Sequence, residues 1–156
     1  MLLRFVGYVV ESSSFTRNEL PKGTTNLVIN PNIQMDIKKD AKKFFLTITV
    51  SVASTEEKPT PFNLSVRIKG SFDVVEDSLD INKMRIDSSR ILFPYVRAYL
   101  TTYTALCGIP PYVLPTIDFE SAPINQAPAP ATARPVPTAN KKSTIDDIKI
   151  IPPDEL

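Results

Sequence analysis

Two kinds of side chain in this sequence are candidates for catalysis: a cluster of carboxylates and a single thiol. Glu76, Asp77 and Asp80 are close enough in the chain to act as paired carboxylates in acid–base chemistry. Cys107 would be a nucleophile only beside a base or a positive charge. The sequence contains no histidine, the commonest general base and metal ligand. We therefore interpret the carboxylates as solvated loop residues and the thiol as a buried structural group.

The glycine, cysteine and charge content excludes several kinds of site. The four glycines, at positions 7, 23, 70 and 108, cannot form a loop that holds nucleotide phosphates. A single cysteine permits neither an intramolecular disulfide nor a cysteine-rich zinc site. The 156 residues have a formal net charge of +1 and no basic stripe, which argues against a nucleic-acid partner. The sequence predicts no cofactor and does not favour an enzyme.

The stretch RILFPYVRAYLTTY (90–103) concentrates aromatic side chains on one predicted helix. Tyr95, Tyr99 and Tyr103 are spaced four residues apart, so they lie on the same helix face. Tyrosine is common on surfaces that become buried only in complexes. The apolar and aromatic positions that recur with helical periodicity are 92, 95, 96, 99, 100, 103, 106 and 107.

The predicted helix has recognisable ends. Ser88 or Ser89 is expected to cap the start of the helix. If the helix begins near Ile91, Pro94 falls in the first turn, where spare donors tolerate it; if the helix begins earlier, Pro94 should kink it. Gly108, with two prolines after it, is expected to end the helix.

Alternating apolar and polar residues predict strands before the helix. Residues 43–54 and 62–74 alternate over their whole length and are joined by a short polar turn, which predicts an antiparallel hairpin. Residues 2–15 and 32–37 are predicted as two further strands. Gly70 lies on the apolar face of its strand, which indicates a bulge or a close approach. We expect an α+β fold, a four-stranded antiparallel sheet with one main helix packed on its apolar face.

The composition divides the chain near residue 121. Residues 1–120 are expected to form one domain, and residues 121–156 a proline- and alanine-rich flexible tail that ends in a short apolar segment. The apolar opening MLLRFVGYVV is too short to span a membrane and is read as a strand. These features predict a protein of the cytoplasm.

The motif LFPYVR (92–97), followed by P-x-x-D-F (115–119), resembles the SecB family of bacterial export chaperones. The hairpin, with GSF at 70–72, fits the same pattern, and the resemblance covers residues 2–120. It implies a four-stranded α+β subunit that assembles as a dimer of dimers, hence a homotetramer. It also implies binding of unfolded polypeptides in hydrophobic grooves without ATP.

The sequence departs from the family pattern in two places. The second helix that follows the D-F segment in the family is replaced here by the proline-rich tail. Ser12, Thr16 and Ser65 stand where the resemblance places the acidic residues that contact the SecA motor, and this argues against delivery to SecA. Some SecB-like proteins serve toxin–antitoxin pairs, so an antitoxin-like client is an alternative to an unfolded preprotein.

Two functions are therefore compatible with the sequence. The first is an ATP-independent holdase, and the second is an oligomeric interaction or assembly protein whose rings are covered by other subunits. The residues predicted to line a client groove are Phe93, Tyr95, Tyr99, Tyr103, Ile109 and Tyr112.

Overall fold

A computed structural model describes residues 2–23, 27, 29–76 and 80–121. The strands are β1 (Leu3–Arg17), β2 (Asn32–Asp40), β3 (Lys43–Val52) and β4 (Phe62–Val74), followed by the helix α1 (Ile81–Leu106). The α+β class, the four strands and the main helix are therefore as the sequence predicts. The predicted tail beyond residue 121 and the carboxylate of Asp77 lie outside the described residues.

The strands form one antiparallel sheet in the order β1-β4-β3-β2. The predicted hairpin is present as β3 and β4, with Ile48 opposite Ile68 and Val50 opposite Val66. The first strand is an edge strand beside β4 and has two irregularities in its register, one near Phe5 and one after Val10. A bulge of this kind increases the twist of an edge strand.

The core lies between one sheet face and α1. The alternating residues Leu46, Ile48 and Val50 of β3 are fully buried, because this strand lies inside the sheet and under the helix. Leu92, Val96 and Leu100 pack onto them from α1, at helical spacing. Each large side chain buried in this way contributes roughly 1.5–3 kcal/mol.

The helix begins ten residues earlier than the sequence predicts, at Ile81 rather than near Ile91. Its N-cap is Asp80, whose carboxylate accepts a hydrogen bond from the Lys83 backbone N–H at 3.1 Å. The predicted caps were wrong because both serines lie inside the helix and are fully buried. Pro94 is consequently an internal residue of α1, and the position lacks one backbone donor.

The close approach expected at Gly70 is present. A Cβ atom at this position would lie 3.0 Å from the Leu92 side chain and 3.0 Å from the Phe72 ring. The absence of a side chain on Gly70 therefore lets the middle of α1 approach β4 closely. Gly108, with a φ of 79°, follows the end of the helix in the left-handed region, as its predicted role requires.

Candidate functional site

The aromatic residues of α1 are divided between two opposite flanks of the helix. One flank faces the edge strand β1, and we call it the tyrosine flank; it comprises Tyr8, Tyr95, Tyr99 and Tyr103. The other flank faces residues 113–121, which follow the helix and which we call the strap. The structure thus separates Phe93, on the strap side, from the tyrosines with which the sequence grouped it.

Tyr95 is half exposed, with 42% of its surface accessible. Its ring centroid lies 5.2 Å from that of Phe5 and 5.2 Å from that of Tyr8, which is itself 41% exposed. The exposed Val10 continues the same face of β1. Large apolar side chains that remain accessible side by side are typical of an association or ligand surface.

The sequence did not single out Tyr8. Its partner across the sheet is Gly70, so it faces the helix side and meets Tyr95 only after β1 pairs with β4. The apolar character of β1 was visible in the sequence, but the register that aligns the two tyrosines was not.

Tyr99 and Tyr103 continue the tyrosine flank toward the end of α1. Their rings are stacked, with centroids 5.7 Å apart and planes at 11°. The Tyr99 hydroxyl donates to the Ser13 hydroxyl at 3.1 Å and so connects the helix to β1. Both residues are partly buried, and they retain apolar surface that a second chain could cover.

Ile109 and Tyr112 lie where the chain leaves the helix, and both are partly buried against the core. The Tyr112 ring meets Phe62 edge-on at 6.2 Å, and its backbone N–H donates to the Thr104 hydroxyl at 2.8 Å. Burial raises the pKa of the Tyr112 hydroxyl above its usual value of 10.0. Their contacts are with the core and with the last turns of the helix, through Thr101 and Thr104.

Phe93 is only 4% exposed, because the ring of Phe119 covers it edge-on at 5.3 Å. The Arg97 guanidinium lies 5.3 Å from the Phe93 ring centroid in a cation–π contact. Phe93, which the sequence predicts to line a client groove, is therefore covered by a residue of its own chain.

A turn holds the end of the strap in place. The Asp118 carboxylate accepts from the Glu120 backbone N–H at 3.0 Å and from the Ser121 hydroxyl at 2.8 Å. These hydrogen bonds, Ser121 first, and the positive charge of Arg90 hold the pKa of Asp118 below its usual value of 3.8. The turn presents Phe119 to the helix.

The remaining chemical candidates of the sequence do not assemble into a site. Asp80 caps the helix and Glu76 is exposed. Cys107 is the C-cap of α1 and is partly buried. Among residues 2–23, 27, 29–76 and 80–121, no three carboxylate or thiol side chains are grouped in a way that would hold a metal ion.

The outer face of the sheet is polar and of mixed charge. Ser12 is opposite Arg67, and the Arg67 guanidinium forms an ion pair with Glu11 at 2.8 Å. Thr16 and Ser65 lie on the same face. An acidic patch of the kind implied by the resemblance is therefore not formed at these positions.

Comparison with known proteins assigns the family. The sequence model described as preprotein translocase subunit SecB matches residues 6–127. The chain belongs to the SecB family. Membership of this family agrees with the four-stranded sheet, with α1 and with the LFPYVR motif that lies within α1.

Individual relatives support this assignment. An uncharacterised protein of Methanocaldococcus jannaschii is 38% identical over 125 residues, which cover 74% of this chain and 79% of that protein. The protein-export protein SecB of Caulobacter vibrioides is 26% identical over 125 residues, covering 75% and 76% of the two chains. SecB of Anaplasma marginale is 31% identical over 84 residues, covering 52% and 48%.

A solved structure has the same fold. The SecB-like chaperone of Mycobacterium tuberculosis, determined in complex with a ChAD peptide from the HigA1 antitoxin, superposes with a TM-score of 0.59 at 13% identity. The match covers 75% of this chain and 91% of that one. No helix in the described part of this chain is both long enough and apolar enough to cross a membrane.

Proposed function

We propose that this protein is an ATP-independent holdase of the cytoplasm that binds unfolded polypeptide segments on the tyrosine flank. The observation that carries the proposal is the pair Tyr8 and Tyr95, whose rings contact each other while each remains about two-fifths exposed. Aromatic faces bind many different apolar side chains, and this suits a protein that must accept clients of varied sequence. Membership of the SecB family supports the same function.

The mechanism follows from mass action. A chain that binds an unfolded client and not its folded form lowers the concentration of free unfolded chains, and so slows both folding and aggregation. No nucleotide is needed, because the affinity of the client for the flank supplies the free energy. An extended client is also able to pair its backbone with the outer edge of β1, beside the exposed Val10.

Two client classes are proposed, an unfolded preprotein and an antitoxin. The export SecB relatives support the first. The complex of the Mycobacterium tuberculosis protein with an antitoxin peptide supports the second. SecA is left out of the proposal, because Ser12, Thr16 and Ser65 carry no charge at the positions where the resemblance places acidic residues.

A second candidate function is an assembly role in which the tyrosine flank is covered by other subunits. It is favoured by β1, an edge strand that itself contains the exposed Val6 and Val9. Unpaired strand edges are ready sites for pairing with another chain. A homo-oligomer, which we expect to be a tetramer, is compatible with either function.

Aggregation of a reduced, denatured client without nucleotide tests the holdase function. We expect the unaltered protein to suppress light scattering at a ratio below one oligomer per client, and Tyr8→Ala with Tyr95→Ala to suppress it less. Phe45→Ala is the matched control, because this ring lies on the outer face of the sheet beside Lys69. Absence of suppression by the unaltered protein at every ratio would refute the holdase function. Loss of the oligomer in the double variant, seen by native mass spectrometry, would support the assembly role instead.

A further inference from the structure

The strap is an extended segment that binds the flank of α1 opposite the tyrosines. It has no regular secondary structure between Val113 and Asp118. Its backbone carbonyl at Pro115 accepts a hydrogen bond from the Arg97 guanidinium at 3.3 Å. Its carbonyl at Phe119 accepts one from the Arg85 guanidinium at 3.4 Å. Carbonyl groups of this kind are available in any unfolded polypeptide.

Three side chains of the strap complete the contact. Leu114 is 2% exposed and belongs to the core. Phe119 is buried against Phe93. The Glu120 carboxylate forms an ion pair with Arg90. A cleft of about 370 Å³ remains between helix and strap, bordered by Arg90, Phe93, Arg97 and Ile117. The strap thus places an aromatic ring and an adjacent carboxylate where an incoming segment would place its own.

The helix side of this contact has cationic groups in excess of what the strap neutralises. Arg85 is 6% exposed, and it is bonded to the Asn82 side chain and to a carbonyl, while none of the ion pairs within the described residues includes it. The Nε atom of Arg97 is buried and has no hydrogen-bond partner among the residues that the structure describes. A guanidinium that is buried with neutral acceptors alone favours a ligand that brings a carboxylate.

We propose that the strap is a resident competitor on a second client-binding surface, and that this surface selects extended segments in which an aromatic residue adjoins an acidic one. The inference rests on the proposed holdase function and adds the chemistry of the client to it. Displacing the end of the strap, residues 117–120, removes Asp118 and Glu120 together with Phe119 while Leu114 stays in the core. It leaves the arginines of the helix beside an exposed Phe93 ring. That surface would attract carboxylates, and the ring would fix the position of the client.

Binding of a labelled peptide with the sequence of residues 113–121, VLPTIDFES, tests the proposal by fluorescence anisotropy. The unaltered full chain should bind the peptide weakly, because its own strap occupies the surface. Phe119→Ala should bind it on the order of tenfold more tightly, since the resident competitor is weakened. Val113→Ala, an exposed position of the same strap, is the matched control and should bind like the unaltered chain.

Two further arms keep the test decisive if Phe119→Ala folds poorly. Glu120→Gln removes only the exposed ion pair, and it should raise peptide affinity severalfold without loss of the thermal transition. A peptide with alanine in place of its phenylalanine, or glutamine in place of its glutamate, should bind the strap variants less tightly than the original peptide does.

Equal affinities of the unaltered chain and both strap variants would overturn the proposal, as would equal binding of the altered peptides. Aggregation of a denatured client is measured on the same samples. Suppression of aggregation without any gain in peptide affinity rejects the resident competitor and leaves the holdase function standing. If the chain neither suppresses aggregation nor gains peptide affinity in the strap variants, the holdase function itself is rejected.

Discussion

Tyr95 lies directly against Tyr8, with ring centroids 5.2 Å apart, although the two residues belong to a helix and to an edge strand 87 positions away. Tyr95→Ala should reduce the affinity for an unfolded client by roughly two- to thirteenfold, because one aromatic contact is worth about 0.5–1.5 kcal/mol. Stability should change little, since the ring is half exposed. Client titration followed by anisotropy measures the effect, with Phe45→Ala as control. An unchanged affinity would place the clients elsewhere.

The close contact of Gly70 with Leu92 gives a prediction for stability. Gly70→Ala should lower the free energy of unfolding by about 1–3 kcal/mol, because the added methyl overpacks the interface between β4 and α1. Gly7→Ala is the matched control, since nothing lies within 4 Å of a Cβ atom placed there. Urea unfolding of both variants provides the comparison. Equal stability of the two would contradict the role given to Gly70.

The N-cap of α1 gives a second prediction for stability. Asp80→Ala should cost about 0.5–2 kcal/mol, because the first turn loses the acceptor for the Lys83 N–H. Asp80→Ser should restore most of the loss, since serine is also a good cap. Thermal unfolding monitored by circular dichroism gives both values. If Ser88→Ala reduces the helix content more than Asp80→Ala does, the helix begins near Ser88 and not at Ile81.

The strap should loosen in acid. The pKa of Asp118 is below its usual value, so the hydrogen bonds to Ser121 and Glu120 stabilise the turn above the unfolded value of 3.8. That contribution is lost as the pH falls through the lower folded pKa. Carboxyl-carbon NMR should show Asp118 titrating below a solvated aspartate, and Asp118→Asn should remove this signal. A pKa of Asp118 at or above 3.8 would contradict the hydrogen bonds that form this turn.

Tyr112 should ionise at higher pH than a solvated tyrosine. Burial favours the neutral hydroxyl, so the folded pKa exceeds 10.0, and this contribution to stability is present below that value and lost as the pH rises through the folded pKa. Ultraviolet titration of the folded chain should contain a late step that Tyr112→Phe removes. If Tyr112→Phe leaves the titration curve unchanged, the raised pKa of Tyr112 is refuted.

The sheet could be predicted from the sequence because its signal is local. In β3 the residues Leu46, Ile48 and Val50 alternate with polar neighbours, and this period is imposed by the backbone alone. The start of α1 could not be predicted in the same way. Ser88 and Ser89 are buried under the sheet, and buried serines do not register as apolar positions in a periodicity count. The residue in the sequence that indicates the start of α1 is Asp80, a good N-cap three residues before the Lys83 N–H that it accepts from.

The arrangement of the rings on the helix was predicted in part, and their role in binding stays a prediction. Tyr95, Tyr99 and Tyr103 share a flank, as their spacing indicated. Leu106, assigned to the apolar stripe, is instead 81% exposed, because the helix extends past the core at this end. The contact of Phe93 with Phe119 depends on how the chain folds back after Gly108, and no short-range pattern specifies that path.

Site-specific photocrosslinking from position 95 tests the central claim most directly. A photoreactive phenylalanine at position 95, irradiated with an unfolded client and no nucleotide, should crosslink to the client, whereas the same group at position 45 should not. Crosslinks from position 95 that reach only another subunit, or no protein at all, would contradict the claim that the exposed rings of α1 bind unfolded chains.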